Sequence, residues 1–196
     1  MSLKFGCVIL AAGESRRAGK LKLAENYKGS PLLQWTVDLA RSVGFSEVVV
    51  VLGAGETILR ERVDLAGCSV VVNREYAQGV SGSIKMGLKG LRPDTDAAVI
   101  LLGDMPDITK ATLQKLMLAH EKIRLFFTLP TYRGKRGNPV IVDSSAFPEV
   151  LKLEGDTGIR QLFGLHPEAV QRVEVDDPAI LFDIDTPRDF KLRSQV

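Results

Sequence analysis

A short loop near the start of the chain carries the residue types that bind phosphate groups. It follows an apolar run, and its small, polar and basic residues are, in order, Ala11-Ala12-Gly13-Glu14-Ser15-Arg16-Arg17-Ala18-Gly19-Lys20. Small residues let a backbone approach a ligand closely, and backbone N–H groups in such a loop can point at phosphate oxygens. Arginine and lysine side chains add full positive charges. The loop therefore predicts binding of nucleotide phosphates.

The spacing in this loop excludes two common phosphate-binding motifs. A P-loop has four residues between its glycines and then Lys-Ser or Lys-Thr, whereas five residues separate Gly13 from Gly19 and Leu21 follows Lys20. A dinucleotide fingerprint requires glycine where this chain has Ser15. On composition alone, a basic surface turn is the competing interpretation, because glycine-rich turns often join regular elements.

A carboxylate follows another apolar run, as Gly103-Asp104-Met105-Pro106 after Val99 to Leu102. A magnesium ion takes one or two carboxylates together with phosphate oxygens. Asp104 could supply one of them, and an ordinary turn aspartate before proline is the alternative.

A second acidic stretch holds Asp183 and Asp185. Treating these two carboxylates as facing opposite sides of an extended segment, we expect only one of them to face a metal ion. For Asp185, stabilising the following helix N-terminus is the competing role. That helix should begin at Thr186 with a capping box, because Pro187 and Asp189 follow.

The elements that position these residues alternate between strand and helix. Strands are predicted over 5–10, 47–52, 69–72 and 97–102, and helices over 31–43, 56–65, 81–91 and 110–122, with Ser30 and Thr109 as N-caps. Such alternation predicts a mostly parallel, Rossmann-like sheet with helices on both faces. Ligands bind beyond the carboxyl ends of such strands. We therefore expect the loops after residues 10, 72 and 102 to meet.

The regular alternation of predicted strands and helices ends after residue 124. Two strands, 125–131 and 139–142, should flank a basic loop, and short helices over 145–151 and 158–165 should precede an edge strand over 170–175. His120 and His166 lie in no motif, and we expect both at the surface and outside the chemistry.

Composition limits the class of protein. The chain has 196 residues with 45% hydrophobic content and a net charge of +2, which predicts one compact domain over 1–196 and no broad basic face for nucleic acid. Two cysteines in apolar runs indicate reduced thiols. No apolar stretch approaches the ~20 residues of a membrane span, so we expect a cytoplasmic protein that binds no membrane.

Two motifs carry a resemblance to a known family. The pattern Leu10-Ala11-Ala12-Gly13-x-Ser15-x-Arg17-x-Gly19-x-x-Lys22 resembles the signature loop of the nucleotidyltransferases that load molybdenum cofactor with a nucleotide. The Gly103-Asp104-Met105-Pro106 segment is similar to the metal-binding motif of that family. Within it, Ala12-Gly13 is similar to the cytidylyltransferase branch, since the guanylyltransferase branch usually has Gly-Gly.

The resemblance implies a nucleotide-diphospho-sugar transferase-like fold, with residues 1–122 binding nucleotide and 123–196 binding the acceptor. It implies magnesium-dependent transfer of CMP from CTP to the phosphate of a molybdopterin-type acceptor, with release of pyrophosphate. GTP as donor, a sugar phosphate as acceptor, and a non-catalytic chaperone that passes the cofactor to a recipient molybdoenzyme remain alternatives.

The resemblance also implies roles for individual residues. The catalytic residues would be Arg17, Lys22 and Asp104. The metal ligands would be Asp104 and Asp185, with Asp183 in support. The residues that would bind nucleotide are Leu10, Ala11, Ala12, Gly13, Ser15, Gly19, Gly79, Ser81 and Ser83. The residues that would bind the acceptor are Asn138, Asp156 and Arg160.

Overall fold

The computed structural model describes residues 2–14, 21–186 and 188–190. The strands are β1 (Phe5–Ala11), β2 (Asn26–Tyr27), β3 (Ser30–Pro31), β4 (Glu47–Leu52), β5 (Ser69–Val72), β6 (Ala97–Leu102), β7 (Phe127–Tyr132), β8 (Lys135–Arg136), β9 (Val140–Asp143) and β10 (Val170–Glu174). The α-helices are α1 (Leu32–Val43), α2 (Glu56–Arg62), α3 (Val80–Lys89), α4 (Lys110–Ile123), α5 (Phe147–Val150) and α6 (Leu162–Leu165). Short 3-10 turns cover Lys22–Ala24, Tyr76–Gln78, Ser144–Ala146, Ile159–Gln161, Pro167–Ala169 and Pro178–Leu181.

The main sheet has the strand order β10-β7-β9-β6-β1-β4-β5, and β8 pairs antiparallel with the end of β7. β1 pairs in parallel with β4 and β6, and β4 pairs in parallel with β5. β9 is antiparallel to both of its neighbours, β6 and β7, and β10 is parallel to β7. The predicted mostly parallel sheet is thus confirmed. Its antiparallel part lies after residue 124, where the regular alternation of strands and helices ends.

Helices cover both faces of the sheet, as predicted. Alternate residues of β1 face opposite sides, so that Ile9 packs with Leu33 of α1 and Leu116 of α4, whereas Val8 packs with Ile84 of α3. Both β1 side chains are fully buried. Two apolar layers therefore hold the central strands, which is why these strands are apolar along their whole length.

Helix α3 crosses β1 at a glycine. A Cβ atom on Gly87 would overlap the side chain of Val8, so a larger residue would push the helix away from the sheet. This close approach sets the position of the α3 N-terminus, which reaches the carboxyl edge of the sheet. Among the described residues, no helix combines the length and apolar character that crossing a bilayer requires.

Some predicted element boundaries were wrong. Ser30 does not cap α1, because Ser30 and Pro31 pair with β2 and the helix begins at Leu32 without a side-chain cap. Helix α2 ends at Arg62, and α3 covers Val80–Lys89 rather than 81–91. The predicted Thr109 cap of α4 is confirmed, since its hydroxyl accepts from the backbone N–H of Thr112.

His120 is not a surface residue, contrary to expectation. Its side chain is fully buried in α4, with Nδ1 2.9 Å from the hydroxyl of Thr128 and Nε2 3.4 Å from a carboxylate oxygen of Asp143. Burial lowers the pKa of the His120 imidazole, and the charge of Asp143 opposes this only in part. The folded protein therefore holds a neutral imidazole at neutral pH.

This buried histidine predicts loss of stability in mild acid. An unfolded chain takes up the imidazole proton near pH ~6.5, whereas the folded chain does so only at lower pH. The free energy of unfolding should therefore fall as the pH drops below ~6.5, with a slope of up to about 1.4 kcal/mol per pH unit from this group.

Urea unfolding of the wild type and of His120→Asn, measured from about pH 8 to about pH 5.5, isolates this contribution. Asparagine keeps a polar group near Thr128 and removes the titrating one. A wild-type slope equal to that of the variant, or a wild type that gains stability in acid relative to it, would contradict the prediction.

Candidate active site

A cavity of about 540 Å³ opens at the carboxyl edge of the sheet. Loops after β1, β5 and β6 contribute to it together with the C-terminal segment, which confirms that these loops converge. Its lining residues are Leu10, Ala11, Ala12, Gly13, Glu14, Lys22, Leu23, Tyr76, Ala77, Gln78, Gly79, Val80, Ser83, Leu102, Asp104, Asp156 and Asp185.

An ammonium group held between two carboxylates forms the charged centre of this cavity. Nζ of Lys22 lies 2.7 Å from Oδ2 of Asp104 and 2.7 Å from Oδ1 of Asp185. The Lys22 side chain is only 12% exposed, and this burial lowers its pKa. The charges and hydrogen bonds of Asp104 and Asp185 outweigh that effect, so the net pKa of Lys22 is raised and the side chain stays positively charged.

Three carboxylates meet here, not two. One oxygen from each of Asp104, Asp183 and Asp185 lies within 4.8 Å of the others. The expectation that only one of Asp183 and Asp185 faces this point was wrong, because residues i and i+2 of an extended segment lie on the same side. Desolvation and the neighbouring charge of Asp185 raise the pKa of Asp183. The cluster is therefore rich in negative charge and suited to a cation.

The C-terminal segment is fixed beside Asp104 by its backbone and its core contact. The N–H of Ile184 donates to the carbonyl oxygen of Asp104 over 2.9 Å, and the Ile184 side chain is buried on the opposite side from the carboxylates. The predicted capping box also forms, since Asp189 accepts from the backbone and hydroxyl of Thr186. Asp189 takes the helix-capping role, and the carboxylate of Asp185 is bonded to Lys22.

The N-terminus of α3 forms one wall of the cavity and is tied to a later loop. The hydroxyl of Ser81 donates to the carbonyl oxygen of Gly155 over 2.8 Å, and the N–H of Val80 donates to a carboxylate oxygen of Asp156 over 3.4 Å. Ser81 lines a neighbouring cavity rather than the 540 Å³ one. Asp156 lines the 540 Å³ cavity.

A second cavity of about 270 Å³ adjoins the first and shares Leu10, Val80 and Leu102 with it. Its other lining residues are Ile84, Ile100, Arg136, Gly137, Asn138, Val140, Gly158, Ile159, Arg160 and Phe163. Two guanidinium groups thus border a mainly apolar space. Asn138 and Arg160 lie together here, whereas Asp156, which was grouped with them from the sequence, lines the larger cavity.

Ser15, Arg17 and Gly19 lie outside the described residues. The structure adds residues that the sequence did not single out as site residues, namely Asn73, Tyr76, Gln78 and Arg136. The i, i+2 rule could have placed Asp183 in the cluster itself rather than in a supporting role, and the basic turn that contains Arg136 was visible in the sequence. Tyr76 and Gln78 sit in an irregular turn with no motif of their own.

Small residues at the end of a buried strand, the lysine Lys22 that follows them and an acidic cluster around that lysine together indicate an enzyme that transfers nucleotides. The chain belongs to the MobA-like NTP transferase domain family, whose model matches residues 7–173, and it is a nucleotidyltransferase. It is 28% identical to the molybdenum cofactor cytidylyltransferase of Escherichia coli, with 94% of this chain and 92% of that protein covered.

The chain is also similar to proteins named for other activities or known from solved structures. The chain is 28% identical to the nicotine blue oxidoreductase of Paenarthrobacter nicotinovorans, with 91% of both covered. Among solved structures, Rv0371c of Mycobacterium tuberculosis aligns with a TM-score of 0.90 at 28% identity over 100% of both chains. A structure of Rv0371c in complex with manganese aligns with a TM-score of 0.85 at 26% identity over 98% of both chains.

Adding one methyl group to Gly79, in the cavity wall, should have a strong effect on stability and on ligand binding. Gly79 has φ +120°, and a Cβ atom there would overlap the backbone of Gly155. Gly79→Ala should lower the free energy of unfolding by about 2 kcal/mol or more and weaken triphosphate binding, because the α3 N-terminus must move.

Gly164→Ala is the matched control, since it adds the same methyl group within α6, where no heavy atom lies within 4 Å of the new position. Its stability should be unchanged or slightly raised, because alanine favours helix. Denaturant unfolding and triphosphate titration test both variants. Equal effects of the two would show that the contact with Gly155 is unimportant.

Proposed function

We propose that this enzyme transfers CMP from CTP to the terminal phosphate of a molybdopterin-type acceptor and releases pyrophosphate. An acceptor phosphate oxygen forms a bond to the α-phosphorus of CTP, and the bond from that phosphorus to the α,β-bridging oxygen breaks. The observation that carries the proposal is that Lys22, the last residue of the signature pattern, lies between the carboxylates of Asp104 and Asp185. The chemistry is mainly positioning and charge neutralisation.

The acidic cluster has the donor chemistry for a divalent cation, which in this proposal is Mg²⁺. Hard carboxylate oxygens converge from Asp104, Asp183 and Asp185. Two of these carboxylates already bind one positive charge, the ammonium group of Lys22. Asp104 and Asp185, supported by Asp183, would hold the ion. When bound, the ion neutralises charge on the phosphate oxygens.

The remaining groups orient the triphosphate. Backbone N–H groups near Ala12 and Gly13 bind its phosphates, and Lys22, together with Arg17, neutralises the β- and γ-phosphates and the departing pyrophosphate. Ser83, whose side chain lines the cavity, contacts the nucleoside part. The choice of CTP over GTP is supported by Ala12-Gly13, which resembles the cytidylyltransferase branch, and by the E. coli relative.

The adjoining 270 Å³ cavity suits the acceptor. Its floor is apolar, and Arg136 and Arg160 border it, so it can take the face of a flat ring system that carries an anionic group, with the polar ring edge turned away from the floor. A sugar phosphate would bring hydroxyl groups that this floor cannot pair. Residues 1–122 thus supply most of the nucleotide site, and 123–196 supply most of the acceptor site of a single domain.

A non-catalytic carrier that hands the cofactor to a molybdoenzyme would need to bind nucleotide without turning it over. Three converging carboxylates favour catalysis, because a carrier has no use for a metal at the phosphates. Pyrophosphate release on mixing enzyme, Mg²⁺, CTP and molybdopterin distinguishes the two. We place this reaction in the cytoplasm, in keeping with the free thiols of Cys7 and Cys68.

Asp104→Asn should abolish most of the turnover while leaving the fold intact. Loss of one carboxylate charge at the phosphates should lower kcat by at least about a hundredfold, measured as pyrophosphate release. Asp107→Asn is the control, because Asp107 lies three residues further along the same loop and accepts from the hydroxyl of Tyr27 instead. Full activity of Asp104→Asn would remove this residue from the mechanism.

Arg160→Met should affect the acceptor and not the donor. Removing the guanidinium that borders the smaller cavity should raise the KM for molybdopterin about tenfold or more, with the KM for CTP unchanged. Arg133→Met removes the same charge from the neighbouring hairpin, where Arg133 lies over the Tyr132 ring, and should change neither constant. An increase confined to the KM for CTP would assign Arg160 to the nucleotide site instead.

A further inference from the structure

Asn73 is a buried polar residue at the end of β5 whose side-chain orientation is determined by the backbone. Its side-chain oxygen accepts from the N–H of Glu75 over 3.0 Å. A backbone N–H can only donate, so the NH₂ end of the Asn73 amide must point the other way. There it lies 3.0 Å from the hydroxyl oxygen of Ser83.

The Ser83 hydroxyl must therefore act as an acceptor toward Asn73 and keep its own proton for another partner. Ser83 is 4% exposed and lines the 540 Å³ cavity. Across 2–14, 21–186 and 188–190, the hydroxyl has Asn73 as its partner and donates to no protein atom. A nearly buried O–H donor is thus left for a ligand in the cavity.

We propose that Asn73 is a specificity-determining residue that acts by holding Ser83 as a hydrogen-bond donor toward the nucleotide. The proposal rests on the proposed function, since it requires that the cavity bind a nucleoside triphosphate. Asn73 itself touches no substrate. It makes the Ser83 hydroxyl an acceptor toward Asn73 and a donor toward the cavity. Ser83 then favours nucleotides that present a hydrogen-bond acceptor atom at that point.

Such a fixed donor can separate bases that have the same size. Cytosine has an unprotonated ring nitrogen, N3, where uracil has an N–H donor. Two donors facing each other leave both unpaired, and an unpaired buried polar group is costly. A Ser83 proton aimed at the base edge would therefore favour cytosine, whereas a freely rotating hydroxyl would serve both bases.

The substitution Asn73→Asp reverses this polarity without changing the shape of the side chain. A carboxylate accepts from the N–H of Glu75 as the amide does, and it also accepts from Ser83, whose lone pairs then face the cavity. Asn73→Ala instead frees the hydroxyl to rotate. The two variants therefore separate reversal from simple loss of orientation.

The experiment is titration of the intact protein with CTP or UTP and Mg²⁺ at pH ~8, without acceptor, by calorimetry. At this pH an aspartate is ionised unless its pKa is strongly raised. The wild type should bind CTP at least about tenfold more tightly than UTP. Asn73→Ala should narrow that ratio, and Asn73→Asp should abolish or invert it.

A double-mutant cycle with Ser83→Ala removes the contribution of the added charge. Ser83→Ala should weaken CTP binding about tenfold when Asn73 is present and hardly at all in the Asn73→Asp background. Equal losses in the two backgrounds, or a CTP-to-UTP ratio that neither Asn73 variant changes, would overturn the proposal while leaving the proposed function intact.

Two further results have defined meanings. If the wild type binds no triphosphate in the presence of Mg²⁺, the proposed function and this inference both fail. If Asn73→Asp does not fold, as judged by its thermal transition, the ratio measured for Asn73→Ala decides, because alanine adds no charge to the interior.

Discussion

The site depends on one cation, the ammonium group of Lys22, that two carboxylates share. Its partners come from opposite parts of the chain, Asp104 after a central strand and Asp185 near the C-terminal end. Without a positive charge between them, the carboxylates of Asp104, Asp183 and Asp185 would repel one another within a few ångströms. Lys22 therefore compensates part of the negative charge of this cluster. A bound metal ion would compete with Lys22 for the carboxylates, and phosphate groups would compete with the carboxylates for Lys22.

The fold serves this centre by bringing three kinds of segment to one edge. β1 and β6 are neighbouring parallel strands that end together, so residues 12–14 and Asp104 line the same cavity at that edge. Helix α3 lies close to β1 because Gly87 has no side chain, and its N-terminus reaches the same edge. The antiparallel strand β9 interrupts the parallel order and leads the chain from Asn138 away from the smaller cavity. One sheet thus borders both adjoining cavities.

Much of this could be predicted from the sequence where burial decides the outcome. The strands at 47–52, 69–72 and 97–102 match the structure because apolar runs bounded by turns leave few alternatives. Ser30 was wrong as a helix cap because it pairs with Tyr27 in a local hairpin, whose two turn residues, Lys28 and Gly29, both have positive φ. His120 was wrong as a surface residue because its partner Thr128 comes from a strand that packs on the helix. The pattern of α4 alone contains no information about this partner.

The chemistry of the site was only partly predictable for a similar reason. Motifs indicated Lys22 and Asp104, but the sequence alone does not show that they bond each other. Asp183 was given only a supporting role through a wrong assumption about side-chain direction, and Asn73 belongs to no motif. Its importance comes from two hydrogen bonds whose directions depend on each other, and this relation becomes visible only in three dimensions.

The late position of Asp185 has a consequence for biosynthesis. Lys22 and Asp104 leave the ribosome well before residue 185 is made, yet their acidic partner reaches them only when Ile184 joins the backbone of Asp104. A nascent chain can therefore form β1 to β6 while the ammonium of Lys22 still lacks one of its two carboxylate partners. The charged centre is complete only after residues 184 and 185 have been synthesised and have left the ribosome.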